Sequence, residues 1–394
     1  MSLTGSFKLL PHELLLQLTT LLPIADVLSL NLATYNSMHI LSKRIDPAEY
    51  LKSAGPFQNA SDLLEVMAQH GAVLSGSRAL DYFVPGSTTS TSDWDFYVPP
   101  VFTSVFAVKQ ALEQSGVKFQ SCLTQVVRKL SIQSSVILTR NQIMSIAHEA
   151  NHCQQEHSSK ERVVIEAIFA KYPLLQETES FIREDGSALW IEDIGPIMLD
   201  EGGRVSPIAP HEAFGSRYPT SVAAKVLYGT AQKQDTTVSV QLVVGSVDPR
   251  KLFMAEPLSR TVFKSIFSFY ASHVQCILTK HVAFHMYYKL ALQQSAYKWS
   301  VPEAIREKAE AAIQKYVSRG FTFRTVPEDN AGHRSALDDG SLLIELSQRS
   351  AYHPPLSQIK AMRWCHHDET TRLLINDSAV HARHRLLDFG IFSI

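Results

Sequence analysis

The stretch from Val73 to Pro99, VLSGSRALDYFVPGSTTSTSDWDFYVP, decides how the chain folds. Ala72-Val73-Leu74 is a short apolar run, which predicts a strand. Gly76-Ser77 ends it in a bend, and a short helix is expected next. A polar loop then leads into a second strand, Trp94 to Val98. Side chains two apart in a strand share one face, about 6 to 7 Å from each other. Asp93 and Asp95 are therefore expected to project together, with Trp94 and Phe96 turned to the opposite, buried face.

Two carboxylates this close repel unless a cation lies between them, and oxygen-rich donors of this kind suit Mg²⁺ or Mn²⁺. A glycine-serine bend that opens a helix offers backbone N–H groups and a hydroxyl, the means by which helix N-termini hold phosphate. Together these features describe a nucleoside triphosphate resting on the bend while the carboxylates hold a bridging metal.

The segment resembles the nucleotidyltransferase superfamily, whose signature is a hydrophobic residue, Gly, Gly or Ser, then an acid-x-acid pair on the next strand. Leu74-Ser75-Gly76-Ser77 and Asp93-Trp94-Asp95 carry the resemblance, with a spacer, 78 to 92, somewhat longer than usual. Gly-Ser-Arg-Ala-Leu followed by Ser-Asp-Trp-Asp-Phe-Tyr-Val-Pro is also similar to a fungal group with nucleotidyltransferase-like domains. The resemblance implies an α+β fold with a mixed sheet and flanking helices. It implies metal ligation by Asp93 and Asp95, and phosphate binding by Gly76, Ser77 and Arg78. It further implies transfer of a nucleotide to a protein or nucleic-acid hydroxyl.

For an active member the resemblance implies a third acid on a later strand, and two aspartates alone rarely hold two ions about 3.5 to 4 Å apart. The topological position for it falls in Val238 to Val244, preceded by a strand from Lys225 to Gln232, and the residue found there is Gln241. An amide oxygen can ligate a metal but cannot act as a base. Glu166, in VVIEAIF (163 to 169), is the other acid inside an apolar, strand-like run; its alternative reading is a glutamate on a helix surface. Whether the chain catalyses transfer or only binds is left open by Gln241.

Upstream, Leu14, Leu18 and Leu22 recur at helical spacing, and a second short helix follows Pro23, with Asp26 near its start. The run from Leu9 to Leu32, LLPHELLLQLTTLLPIADVLSLNL, resembles an F-box through Leu10-Pro11, Glu13-Leu14-Leu15, Leu22-Pro23 and Asp26-Val27-Leu28. That resemblance implies a Skp1-type adaptor as partner over residues 9 to 32, and with it a non-catalytic alternative: an interaction protein of a ubiquitin ligase. A helical cap packed on the next domain explains the same leucines. Downstream, the chain turns helical again from 257. Its clearest helix runs from Val301 to Arg319, with Ser300 and Glu303 at capping-box spacing, Pro302 in the first turn, and an apolar stripe of Ile305, Ala309, Ile313 and Val317. The expected organisation is a helical F-box-like module (1 to 50), a nucleotidyltransferase-like domain (51 to 250) and a mainly helical C-terminal domain (251 to 394).

Weaker patterns carry alternatives of their own. His148 and His152 have zinc spacing on a helix, as do His281 and His285, but solvent-facing and core histidines respectively are the simpler readings. Cys365-His366-His367 lacks a second ligand pair. Tyr287, Tyr288 and Trp299 could stack on a base or belong to the core, and Lys280, Lys289 and Lys298 could reach phosphate oxygens.

The 394 residues carry 37 basic and 38 acidic side chains, so no global field draws the chain to nucleic acid or an anionic membrane; nucleic-acid contact would need a local patch. Four scattered cysteines without a CxxC pair read as reduced thiols of a cytoplasmic or nuclear protein. No signal-peptide pattern and no run of about 18 apolar residues is present, which predicts no membrane span. Walker A, GxGxxG and Gly-x-Ser-x-Gly strings are also absent from the sequence.

Overall fold

The computed structural model describes residues 11–34, 39–100, 102–120, 166, 223–245, 259–299, 301, 303–325, 334–346, 359–360, 362–367 and 370–375. Five helices lead in: α1 (His12–Leu21), α2 (Ile24–Ala33), α3 (His39–Ile45), α4 (Pro47–Ala54) and α5 (Ala60–His70). Pro11 and Pro23 stand at the N-caps of α1 and α2, where a missing N–H breaks no helical bond. Asp46 caps α4 by accepting from the Ala48 amide at 2.8 Å. These helices share the main core: Leu15, Ile24, Val27 and Leu41 pack in one continuous cluster with Leu74 and Trp94. The Arg44 guanidinium also donates to the Tyr82 carbonyl at 2.8 Å. The core therefore runs through the boundary expected at residue 50.

The decisive segment folds as β1 (Val73–Ser75), α6 (Gly76–Phe83) and β2 (Trp94–Val98), followed by α7 (Phe102–Gln114), β3 (Lys118–Phe119), β4 (Ala223–Lys233) and β5 (Thr236–Gly245). Next come α8 (Ser259–Phe267), a 3₁₀ turn (Ser272–Val274), β6 (Cys276–Leu278), β7 (Val282–His285), α9 (Tyr288–Leu292) and β8 (Ser295–Tyr297). The chain continues through α10 (Glu303–Val317), β9 (Thr322–Arg324), β10 (Arg334–Ser335), β11 (Leu342–Glu345), β12 (Met362–His367) and β13 (Thr370–Ile375).

One eight-stranded sheet organises the molecule in the order β11-β7-β6-β1-β2-β5-β4-β3. β2 and β5 are parallel and the other neighbours antiparallel, so the α+β, mixed-sheet expectation holds. Alternation sorts the two faces. Leu74, Trp94, Phe96, Val240 and Leu242 pack with Leu63, Leu64 and Met67 of α5 and Val105, Val108 and Leu112 of α7. Val73, Tyr97 and Val243 pack instead with Val262, Phe263 and Ile266 of α8 and with Trp364. A sheet buried on both sides explains why Val73-Leu74 in β1 and Leu242-Val243-Val244 in β5 are apolar on both faces.

The mainly helical reading of 251–394 is corrected. That segment supplies β6, β7 and β11 to the large sheet, and β10, β12 and β13 form a second, three-stranded one. Cys276–Leu278 and Val282–Phe284 are apolar runs of three residues each, too short for periodicity to separate strand from helix. His281 and His285 accordingly do not share a helical turn: His285 ends β7, fully buried. The run 163 to 169 is also corrected where it is described, since Glu166 is helical and exposed. His148, His152, Cys153 and His157 lie outside the described residues. Among the described residues, no helix is long and apolar enough to cross a membrane.

Candidate nucleotide and metal site

The bend after β1 sets the site's floor. Gly76 opens α6 with φ +72°, a left-handed backbone that β-carbon-bearing residues avoid. A β-carbon built there would lie 2.7 Å from Oδ2 of Asp95. Glycine is thus demanded twice, by its own dihedral and by the carboxylate pressed against it. Ser75 fixes the end of β1 by donating its hydroxyl to the Cys276 carbonyl at 2.5 Å. Ser77 Oγ donates to the Asp93 carbonyl at 3.4 Å, tying the bend to the start of β2.

Asp93 and Asp95 are half-buried, while Trp94 and Phe96 between and beyond them are wholly buried. The opposite face is locked by aromatic edges: Phe57 meets Trp94 at 4.9 Å and Phe96 at 5.4 Å between ring centroids. β2 cannot rotate its acids without exposing these rings. β5 lies parallel to β2 with Gln241 in register with Asp95. The Gln241 amide, 3% exposed, donates Nε2 to Oδ2 of Asp93 at 3.2 Å, and its Oε1 is buried without a hydrogen-bond partner.

A cavity of about 460 Å³ opens over these groups, within the size range of small-molecule sites. Gly76, Ser77, Asp93, Asp95 and Gln241 form one wall. Phe269, Tyr270 and Val274, after α8, form an apolar wall, and α10 closes the cavity with Lys308, Ala309, Ala312, Lys315 and Tyr316. Helical spacing brings the α10 residues to one face, and the alanines leave the space open. Burial, reinforced by the Asp95 charge, pushes the Tyr270 phenol up. Tyr316 is pushed up by burial, then by Tyr270 and, more weakly, Asp95. Both phenols therefore stay neutral hydrogen-bonding groups beside the acid.

Two arginines hold the loop from Ser87 to Ser92. Arg78 is buried and donates to the carbonyls of Ser92 at 3.0 Å and Thr89 at 3.1 Å, its guanidinium 5.0 Å from the Trp94 ring. Arg319, just past α10, donates to the Ser87 carbonyl at 2.9 Å and to Ser92 Oγ at 3.1 Å. α10 is thereby fastened to the loop that delivers Asp93.

Five of the expected positions converge: Gly76, Ser77, Asp93, Asp95 and Gln241. Arg78 does not join them as a phosphate ligand, because its donors are turned into the 87–92 loop; burial lowers its pKa. Glu166 does not line the cavity either. Lys280 pairs with Glu65, and Lys298 lines a hollow on the far side of α10 beside Phe323. Tyr287, Tyr288 and Trp299 are buried in the core. Cys365-His366-His367 lies in β12.

Lys308, Lys315, Tyr316, Tyr270 and Arg319 were missed by sequence reading. The signal for the first three was the α10 helix itself, whose expected stripe is offset: Tyr316 is buried while Val317 is 45% exposed.

The donors gathered at Asp93, Asp95 and Gln241 are all oxygen, apart from the amide N–H committed to Asp93, and suit Mg²⁺ or Mn²⁺ over a soft metal. The partnerless Gln241 oxygen is a buried acceptor that such an ion would satisfy. Among the described residues, no group of three or more His, Cys, Asp or Glu gathers as a metal cluster, here or elsewhere. Compared with known proteins, the chain matches no family model, no curated protein and no solved structure.

Proposed function

We propose that this chain binds a nucleoside triphosphate through a divalent cation held by Asp93 and Asp95, in the manner of a nucleotidyltransferase-like domain. The observation that carries the reading is how closely Asp95 faces Gly76, where a β-carbon would lie 2.7 Å from its Oδ2, so that the helix-opening bend and the carboxylate border one space. The amides opening α6 and Ser77 would receive phosphate oxygens. Lys308 and Lys315, across the cavity, would balance the remaining charge, and Phe269, Tyr270 and Tyr316 supply flat apolar surface for a base.

Binding rather than transfer is the conclusion, because Gln241 stands where an acid would deprotonate the attacking hydroxyl. Purified protein incubated with labelled nucleoside triphosphates should retain label in Mg²⁺ or Mn²⁺ and lose it in EDTA. An Asp93→Ala/Asp95→Ala variant should retain none. Equal retention by this variant would sink the proposal; labelled acceptor formed by the wild type would instead make the chain a transferase.

A second reading concerns the N-terminal helices. On α1, Leu14 is 47%, Leu18 45% and Leu21 74% exposed, an apolar surface larger than a solvated helix needs. This favours a role as an F-box-type adaptor docking a Skp1-type partner there, compatible with the nucleotide site. A Leu14→Ala/Leu18→Ala variant should lose capture of such a partner, and unchanged capture would refute it.

A further inference from the structure

We infer that Gln241 restricts the site to a single divalent cation, making it a nucleotide sensor or clamp rather than a two-metal centre. This rests on the cation-dependent reading above and adds to it how many ions are held and which residue sets that number.

Three observations carry it. Gln241 is in register with Asp95 on the adjacent parallel strand, so it borders the acids directly. Its Nε2 donates to Asp93 Oδ2 at 3.2 Å. That bond puts the positive end of an N–H dipole against the carboxylate oxygen that a second cation would have to share. Its Oε1 is buried with no hydrogen-bond partner, an acceptor that a cation would satisfy. The orientation is imposed by charge: turning the amide over would set its oxygen against the Asp93 carboxylate.

Charge counting agrees. Asp93 and Asp95 supply two negative charges, which one divalent ion neutralises. A second ion needs a third carboxylate, because paired ions about 3.5–4 Å apart repel strongly unless anions bridge them. An amide adds an oxygen but no charge. Lys308 and Lys315 on α10 already bring positive charge to the same cavity. With one cation, a nucleotide is held by its phosphates, while the hydroxyl of an acceptor has neither metal nor base to lower its pKa.

Gln241→Glu keeps the side chain's shape and changes only charge and the donor. Without a cation, three carboxylates then crowd together. The variant should melt below the wild type in EDTA and rise further than the wild type when Mn²⁺ is added. The direct measurement is equilibrium dialysis of the full chain against Mn²⁺ and an α,β-methylene nucleoside triphosphate. Wild type should retain one Mn²⁺ per nucleotide and Gln241→Glu two. Two in the wild type would overturn the inference, even if the variant fails to fold, and so would one in a folded variant. No nucleotide retained by the wild type would instead mean that the binding reading itself has failed.

Discussion

At the scale of the residue, Gly76 is the position where conformation and chemistry cannot be separated. Gly76→Ala meets two penalties: the left-handed dihedral costs about 1–2 kcal/mol for any L side chain, and the new methyl would lie 2.7 Å from Asp95 Oδ2. Asp95 must swing away, so urea unfolding should show a loss of at least that size, together with loss of cation-dependent nucleotide retention. Retained binding with the stability loss alone would show that the Gly76–Asp95 contact is not part of the site. Legibility differs sharply among neighbouring residues. Asp93 and Asp95 were readable because strand periodicity depends on nothing beyond the strand. Arg78 was not, since whether its guanidinium meets phosphate or the carbonyls of Thr89 and Ser92 depends on how the 87–92 loop closes, and the sequence of that loop, entirely serine and threonine, does not dictate its path. Arg78→Met would leave the carbonyl of buried Ser92 without its donor, while that of exposed Thr89 can turn to water, and a loss of about 1–3 kcal/mol is expected in the same denaturation assay.

At the scale of the element, α10 connects the cavity to the rest of the chain. One of its faces presents Lys308, Ala312 and Lys315 to the acids, while Arg319 beyond its end is bonded to Ser87 and Ser92. Arg319→Met keeps much of the contact with the Tyr316 ring, now 4.9 Å away, but removes the link to the loop. Exposed on one side, that link contributes modestly to stability, so unfolding should change by about 1 kcal/mol or less. Nucleotide affinity should fall several-fold, because the helix must then be ordered by the ligand instead of before it. Isothermal titration of both proteins with the same metal nucleotide checks this; equal affinities would show that α10 is held by other contacts. Helix α10 was legible from its alanines, charges and following glycine, whereas which of its faces looked inward was not. Strands β6, β7 and β11 were illegible for a different reason. A run as short as Val282–His285 becomes a strand only because β6 and β11 flank it, and those pairings join residues about 60 positions apart in the chain for β7 with β11.

At the scale of the whole molecule, two buried histidines tie stability to pH. His273 is wholly buried among Tyr316, Phe321 and Phe323, with neither ring nitrogen hydrogen-bonded. Burial holds its pKa well below the ordinary value, with smaller contributions from His285 and Arg319. Burial likewise brings His285 down to about 3 from 6.5. A histidine kept neutral by the fold takes up its proton more readily when unfolded, so below pH 6.5 the unfolded chain binds more protons and stability rises with pH. The contribution is complete above the ordinary histidine value and is lost as pH falls toward the depressed folded values. His273→Phe keeps an aromatic ring in the aromatic cage and removes one titrating group. Its stability at pH 7.5 can fall by about 1–3 kcal/mol from overpacking, yet the slope between pH 6.5 and 4.5 should flatten. Urea titrations at half-unit steps measure both quantities separately. A parallel displacement of the two curves, with equal slopes, would mean that His273 finds a proton partner in the folded chain and does not resist protonation.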